Sequence, residues 1–493
     1  MVVLNAHDYL LAAPLLALAA GALVILLLDL LVARKSQSMW YVAGVGSVAT
    51  AGYYLWQLWG AGEPRGFYGA MIMDRFGLVF AAILLGAVLL TVLLSMGRRE
   101  EDKSGYLALV LWAGMGMVMM ATAGNLMTIF LGLELLSLAL YVAVAFDPQR
   151  ATAREAALKY FVLGSVASSF ILMGFAFIYG VTGTMDLAAI KAAAAPSALY
   201  FKVGIAMALV GFGFKMALVP FHVWAPDVYQ GAPTATTAFM SVGTKAAAFA
   251  VMARFLMSVV PAEAQPRVLL PVAILSAASM LLGSTVGIWQ TDLKRLMAYS
   301  GIAHAGYLIM AIPGLGAAGV SAAAYYMAAY LFTAMGVFAI IALLESEGEE
   351  GASFATLKGL FYRRPALGAA MALFMFANIG LPPTGGFIGK FLLAKAATTA
   401  IGTAPAVAWT LLIALFVSTG ISAYVYLRVI STVFAKGAEA KAPARMAGAE
   451  DDLSLAPGAV RFGIVAVLVI AVLGNLWLGV LPGGVMDLLQ IVF

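Results

Sequence analysis

The sequence predicts an all-α polytopic membrane protein of about fourteen transmembrane helices, and three observations carry that expectation. Hydrophobic residues make up 64% of the 493-residue chain and charged residues only 10%. An ordinary soluble domain carries about 25% charged residues, so this chain lacks the polar surface to face water on all sides. Apolar stretches recur at the roughly 20-residue length that crosses a hydrocarbon core about 30 Å thick. Two of these stretches carry prolines and glycines near their middles, where a soluble helix would simply end. A mean hydropathy of +1.01 agrees. A soluble enzyme, a nucleic-acid binder and a disordered scaffold are excluded, and the net charge of +5 reads as a topology signal.

Taken in order, the apolar runs lie near 9–33, 39–59, 76–96, 105–123, 126–146, 156–182, 200–223, 233–257, 268–289, 294–313, 317–344, 366–401, 404–435 and 460–481. The first has no basic residue before it and contains Asp29, so it reads as a retained span and not a cleaved signal. The loops after odd-numbered spans hold Arg34, Lys35, Arg98, Arg99, Lys103, Arg150, Arg154, Lys294, Arg295, Lys358, Arg363, Arg364, Lys436, Lys441, Arg445 and Arg461. Those after even-numbered spans hold only Arg65, Arg75, Lys191, Lys202 and Arg267. Basic loops stay on the cytoplasmic side, which places both termini on the outer side. The longest loops, near 345–365 and 436–459, are too short for a folded domain of their own.

The seventh span reads GFGFKMALVPFHVWAPDVYQGAP and the twelfth FANIGLPPTGGFIGKFLLAKAA. Proline removes a backbone donor and clashes with the preceding turn, so Pro220, Pro226 and Pro233 should unwind the first, and Pro382 and Pro383 the second. Unwound backbone survives in a membrane only where protein buries it or it lines a wet cavity. If spans 4–8 and 9–13 form two five-helix units, each break falls in the fourth helix of its unit. Five is odd, so the second unit enters from the opposite side, giving an inverted repeat of the transporter kind. The expected organisation is three N-terminal spans (1–104), a first repeat (105–260), a second, inverted repeat (261–436), and a loop with the last span (437–493).

The sequence holds no cysteine and only His7, His222 and His304, which excludes disulfides, thiolate-held iron–sulfur clusters and thiolate zinc sites and leaves little for a haem. GxG pairs at Gly44/Gly46 and Gly211/Gly213 lack a third glycine and a preceding strand. Against this apolar background a short set of ionisable residues falls inside spans: Glu134, Lys159, Lys215, Lys245, His304 and Lys390. A charge near the bilayer centre costs about 2.5 to 3.5 kcal/mol, so repeating it argues for a pathway. Blander readings exist for several. Lys159 lies close enough to its helix start to snorkel to the headgroups; Lys202, Lys395 and Arg254 near span ends read as anchors; Asp29 reads as a helix-end residue. A buried histidine can simply bond to a neighbouring helix. The 26 methionines read as packing.

The chemistry open to such a set is proton transfer. Burial favours the neutral form of a lysine and a nearby carboxylate favours the charged form, so a buried lysine beside a movable glutamate has two poised states. Glu134 and Lys215 are the candidates for that switch, with Lys245 taking the proton and His304 linking it to Lys390 through intervening water.

The stretch GFGFKMALVPFHVWAPDVYQGAPTATTAFMSVGTKAAAFAVMARF from Gly211 to Phe255 resembles the N subunit (subunit 2 family) of the proton-pumping NADH:quinone oxidoreductase, respiratory complex I. LGLELLSLALYVAVAF around Glu134, TDLKRLMAYSGIAHAGYLIM from Thr291 and NIGLPPTGGFIGKF from Asn378 are similar too, so the resemblance covers essentially all the spans. It implies an antiporter-like membrane-arm subunit without cofactors of its own, with NAD, FMN, iron–sulfur clusters and quinone handled by partner subunits. It also implies that Glu134, Lys159, Lys215, Lys245, His304 and Lys390 form the family's ionisable chain. Antiporter-like and small membrane-arm subunits, lipid, protons and water are the implied partners, and nucleic acid is not. The lack of a long lateral helix after the last spans favours the N type over the larger L type, and the three extra N-terminal spans suggest a bacterial inner-membrane protein. Two other readings stand beside this one: a subunit of a multi-subunit cation/proton antiporter, and a structural spacer whose charges are ion pairs. The acidic run from Glu345 to Glu350 finds no role in any of them.

Overall fold

The computed structural model describes residues 6–492 apart from 32–37, 63, 97–102, 148, 195–196, 262–264, 313–316, 347–352 and 437–457. Arg34, Lys35, Arg98, Arg99, Lys441, Arg445, Glu347, Glu349 and Glu350 therefore lie outside the described residues. The helices are α1 (Ala6–Leu31), α2 (Ser38–Leu58), α3 (Arg75–Ser95), α4 (Lys103–Ala121), α5 (Leu126–Val144) and α6 (Ala151–Thr182). A short α7 (Leu187–Ala193) precedes α8 (Leu199–Met216), α9 (Trp224–Gly231) and α10 (Thr234–Val259). Then come α11 (Gln265–Gly287), α12 (Leu293–Ile309), α13 (Ala317–Ser346), α14 (Pro365–Ile379), α15 (Gly385–Thr398), α16 (Pro405–Val433), α17 (Gly458–Val480) and α18 (Gly483–Val492).

Among the described residues, eleven helices are long and apolar enough to cross a membrane. The other three expected spans are α2, the 17-residue α12, and the pair α14/α15, broken at its middle. Boundaries fall within about five residues of the sequence expectation except at the seventh span, expected to 223 but ending at Met216, and side-chain caps explain several. Asp74, Asn125 and Asp292 each accept the amide three residues on, which satisfies one of the orphan donors at the starts of α3, α5 and α12. The sequence did not signal α7, α18, the one-turn helices Phe354–Leu357 and Leu360–Arg363, or a two-residue hairpin pairing Arg65 with Ile72.

Burial sorts the helices into an axis and a perimeter. The spanning window of α10 is 89% buried and that of α6 only 33%. The outward face of α6 shows Leu158, Phe161, Val166, Phe170 and Met173, the apolar surface that lipid or another membrane chain requires. Close helix contacts use glycine. A Cβ on Gly116 of α4 would meet the Gly132 carbonyl of α5 at 2.6 Å, and one on Gly283 of α11 would meet the Ala303 amide of α12 at 2.6 Å. The packing of α4 on α5 is thus matched by α11 on α12, and that of α6 on α8 and α9 by α13 on α14 and α15.

One expectation is corrected. Arg254 is not an interfacial anchor: it is 6% exposed and grips both carboxylate oxygens of Asp74 at 2.7 and 2.8 Å, while its Nε and Nη2 also donate to the Ala121 carbonyl. Its partner lies 180 positions away, beyond any local pattern. The bridge ties α3, α4 and α10 together at one end of the molecule. Arg254→Ala strands the Asp74 carboxylate, and such breakage costs about 3 to 5 kcal/mol. Thermal unfolding in detergent should show a clear loss for this variant and partial recovery in Asp74→Ala/Arg254→Ala; equal melting of Arg254→Ala and the parent would refute the staple.

Candidate functional site

The first helix break sets the position of Lys215. After Met216 the chain turns through Ala217 in the left-handed region (φ 60°), and the amides of Ala217 and Leu218 close back onto the Phe214 and Gly213 carbonyls. The backbone groups freed by the break find partners from elsewhere: Val219 N donates to Ser279 Oγ of α11 at 2.9 Å, and Trp224 Nε1 donates to the Phe214 carbonyl at 2.9 Å. Lys215 is left in the last turn of α8, 1% exposed. Its Nζ has no hydrogen-bond partner among the described residues and stands 5.5 Å from the Tyr141 ring centre and 5.3 Å from that of Tyr160. Glu134 lies on the same face of α5 as Tyr141, seven residues earlier, and its Oε1 is likewise buried without a partner. No direct hydrogen bond therefore joins Glu134 to Lys215 among the described residues.

Aromatic rings carry the line onward. Tyr141 meets Tyr160 edge-on at 4.8 Å, Tyr160 stacks on Trp224 at 4.6 Å, and Trp224 meets Tyr229 at 6.4 Å. Lys245 Nζ donates to the Tyr229 hydroxyl at 2.8 Å. Lys245 directly follows one widened turn of α10, Met240–Thr244, of a kind often found at functional positions. Its Nζ lies against Gly301 of α12, 3.0 Å from where a Cβ would stand, with the Tyr330 hydroxyl 3.5 Å from the same point. His304, one turn along α12, packs on Tyr330 at 4.6 Å, pairs through Nδ1 with the Tyr326 hydroxyl, and lies through Nε2 3.4 Å from the Tyr426 hydroxyl.

The second break is met differently. Gly380 closes α14 at φ 86°, and the carbonyls of Asn378 and Ile379 each accept from Lys390 Nζ at 2.9 Å. Lys390 therefore belongs to the break itself, with its ammonium 4.6 Å from the Tyr307 ring centre. The structure brings the buried Lys215, Lys245, His304 and Lys390 into one series, with the half-buried Glu134 on the α5 face that carries Tyr141.

Lys159 is not part of that series. Its side chain is 43% exposed and pairs with Glu155 and Asp227 at 2.8 Å each, and Asp227 pairs with Arg295 of α12 at 2.6 Å. A cavity of about 260 Å³ lined by Thr152, Glu155, Lys159, Asp227 and Gln230 opens beside this cluster. At the same end of the molecule, Lys294 pairs with Glu345 at 2.8 Å and Thr234 donates to it at 2.5 Å, giving the first residue of the acidic run a place. Asp292, capping α12 outside the spans, is buried enough to push its carboxyl above the usual range. Lys202 and Lys395 are exposed, as anchors would be, and Asp29 is half-buried. Sequence reasoning missed Asp227, Arg295 and all the tyrosines of the line; a tyrosine in an apolar helix reads as packing until its neighbours are known.

A membrane-embedded series of titratable groups, set between two broken helices, defines the class of an ion-translocating, antiporter-like subunit. Residues 123–422 match the family described as NADH:quinone oxidoreductase/Mrp antiporter, TM, and the chain belongs to it. It is 60% identical, over 98% of both chains, to NADH-quinone oxidoreductase subunit N 1 of Symbiobacterium thermophilum. Among solved structures it is similar to a chain of respiratory complex I from Thermus thermophilus, with 33% identity, a TM-score of 0.77, and 96% of this chain and 98% of that one covered. A chain of the Mrp complex from Dietzia sp. DQ12-45-1b shares the fold at TM-score 0.82 and 20% identity, covering 99% and 96%.

The two lysine settings differ in expected stability effect. Lys390→Met leaves two buried carbonyls unmet, about 1 to 3 kcal/mol for each. Lys159→Met removes two water-screened surface pairs, to Glu155 and Asp227, so its loss of stability is the smaller. Detergent melting curves should rank Lys390→Met well below Lys159→Met; the reverse order would contradict the assigned environments.

Proposed function

We propose that this chain is a proton-translocating membrane-arm subunit of a bacterial NADH:quinone oxidoreductase, in which Glu134, Lys215, Lys245, His304 and Lys390 pass protons while partner subunits oxidise NADH and reduce quinone. The observation that carries this reading is the series itself: four buried titratable groups linked through hydroxyls and rings, with the half-buried Glu134 at one end, inside a chain of this family. Moving one charge against 100 mV requires about 2.3 kcal/mol, so the driving energy arrives from the redox-active partners, which hold the FMN, iron–sulfur clusters and quinone. Glu134 and Lys215 form the switch. Drawn together they stabilise each other as ions; drawn apart, the buried lysine favours giving up its proton toward Lys245.

The two five-helix units, 105–260 and 261–436, are the inverted halves of the machine, flanked by 1–104 and 437–493. Glu134 on α5 then corresponds to His304 on α12, and Lys215 on α8 to Lys390 on α15. Lys159, with Asp227 and the adjoining cavity, stands at the cytoplasmic mouth. Both termini face the outer side of the cytoplasmic membrane. The Mrp-like fold also supports a cation/proton antiporter, but the full-length likeness to a subunit N relative favours the oxidoreductase.

In membrane vesicles carrying the assembled complex, Lys215→Ala is expected to keep NADH oxidation and lose much of the proton pumping; full pumping would defeat the role given to Lys215. A spacer role predicts the opposite for Glu134→Gln/Lys215→Met, namely pumping intact. Because the chain has no cysteine, topology is open to a single introduced thiol: Gly484→Cys in right-side-out vesicles should react with a membrane-impermeant maleimide, and protection there with reaction in inverted vesicles would reverse the orientation.

A further inference from the structure

We infer that a hydroxyl face on α16, together with Tyr307 of α12, carries protons between His304 and Lys390. This rests on the reading above, that both residues conduct. Ser418, Ser422 and Tyr426 recur every four residues and so line one face of α16. Ser418 Oγ lies 2.6 Å from the Tyr307 hydroxyl and 2.5 Å from Ser284 Oγ of α11, and Ser422 Oγ lies 3.1 Å from Ser284 Oγ. The Tyr426 hydroxyl, one turn further, is bonded to Ser300 Oγ at 2.6 Å and lies 3.4 Å from His304 Nε2. At the other end, Tyr307 presents its ring to Lys390 Nζ at 4.6 Å. Ser284, Tyr307, Ser418, Ser422 and Tyr426 are all buried.

The bonding pattern goes beyond packing. A serine inside a helix usually donates to its own carbonyl four residues back. Ser418 instead donates across to the Met280 carbonyl of α11 at 3.0 Å, and Ser422 donates across to Ser284. Ser284 also reaches the Met280 carbonyl, at 2.6 Å. Two hydroxyls therefore share one acceptor. Either one donates to Met280 while the other donates to its neighbour, so the chain stays satisfied with its hydrogens ordered in either sense. Reversible order is what transfer by successive hops demands, because each hydroxyl must turn after every passage.

In a single passage the His304 imidazolium gives its proton to Tyr426, each hydroxyl accepts one proton and releases one, and Lys390, a neutral amine at the start, takes the last proton to become ammonium, leaving His304 neutral. No bond other than O–H and N–H forms or breaks, and the net charge of the chain of hydroxyls is unchanged. This route requires a water at the turn between Tyr426 and Ser422 and another between the Tyr307 hydroxyl and Lys390.

The test uses the intact complex in sealed vesicles and reads protons translocated per NADH oxidised in parent, Lys215→Ala, Ser284→Ala/Ser418→Ala, Tyr307→Phe and Ser418→Thr forms. The serine double variant and Tyr307→Phe, which deletes one oxygen and guards against a double variant that fails to assemble, are expected to fall to the Lys215→Ala yield. Ser418→Thr, keeping its hydroxyl, is expected to hold the parent yield. A parent-like yield in the hydroxyl-deleted forms where Lys215→Ala loses pumping overturns this inference alone. Equal loss in Ser418→Thr and the alanine variant assigns the effect to packing and also overturns it. A parent-like yield in every form, Lys215→Ala included, removes the functional reading beneath it.

Discussion

Backbone carbonyls released by unwinding a helix inside hydrocarbon must meet a donor, and the way the two breaks meet theirs organises the rest of this molecule. In the first break an indole takes the Phe214 carbonyl, leaving the adjacent Lys215 ammonium over tyrosine faces with no fixed partner. In the second, Lys390 itself takes the Asn378 and Ile379 carbonyls. Corresponding lysines thus have opposite freedoms. Lys215 has no fixed partner among the described residues and Lys390 is tethered by two carbonyls, so in the proposed relay the first answers the position of Glu134 and the second is held until released. A free switch at one end and a tethered acceptor at the other is a sensible division for a path that must hold a proton before passing it.

The charge content of the line strengthens that view. Lys215, Lys245 and Lys390 are accompanied inside the series by a single carboxylate, Glu134. Like charges in a low-dielectric interior disfavour each other, so protonating one member makes the next less willing to stay charged. In the proposed switch, pulling Glu134 toward or away from Lys215 would be felt further along through these charges. The surface cluster of Glu155, Lys159, Asp227 and Arg295 is balanced in sign, and Asp227 ties α6 and α12 to the short helix that follows the first break. It holds the broken segment in place from the outside while the buried lysine remains free within.

Much of this fold was legible in the sequence because hydrocarbon imposes long apolar runs, and proline in such a run has few meanings. The buried lysines were legible for the same reason: a charge stands out where charges are expensive. Other features were not. Lys159, close enough to its helix start to snorkel, still falls in the same ionisable set as Lys215; its partner Asp227, itself paired with Arg295, comes from another helix and turns it outward. Arg254 looked like an anchor because Asp74 is remote in sequence. Tyrosine and serine carry no charge to flag them, and at helical spacing they resemble packing. Only the placement of α11, α12 and α16 beside one another turns Ser284, Tyr307 and Ser418 into neighbours.

In the proposed switch Glu134 changes its partnership with Lys215 at each turnover. Infrared difference spectroscopy of the intact complex, recorded on addition of NADH and quinone, reads this directly in the carboxylate stretching region. A carboxylate band that shifts during turnover and is absent in Glu134→Gln is expected. Turnover with full pumping and no signal assignable to Glu134 would contradict it.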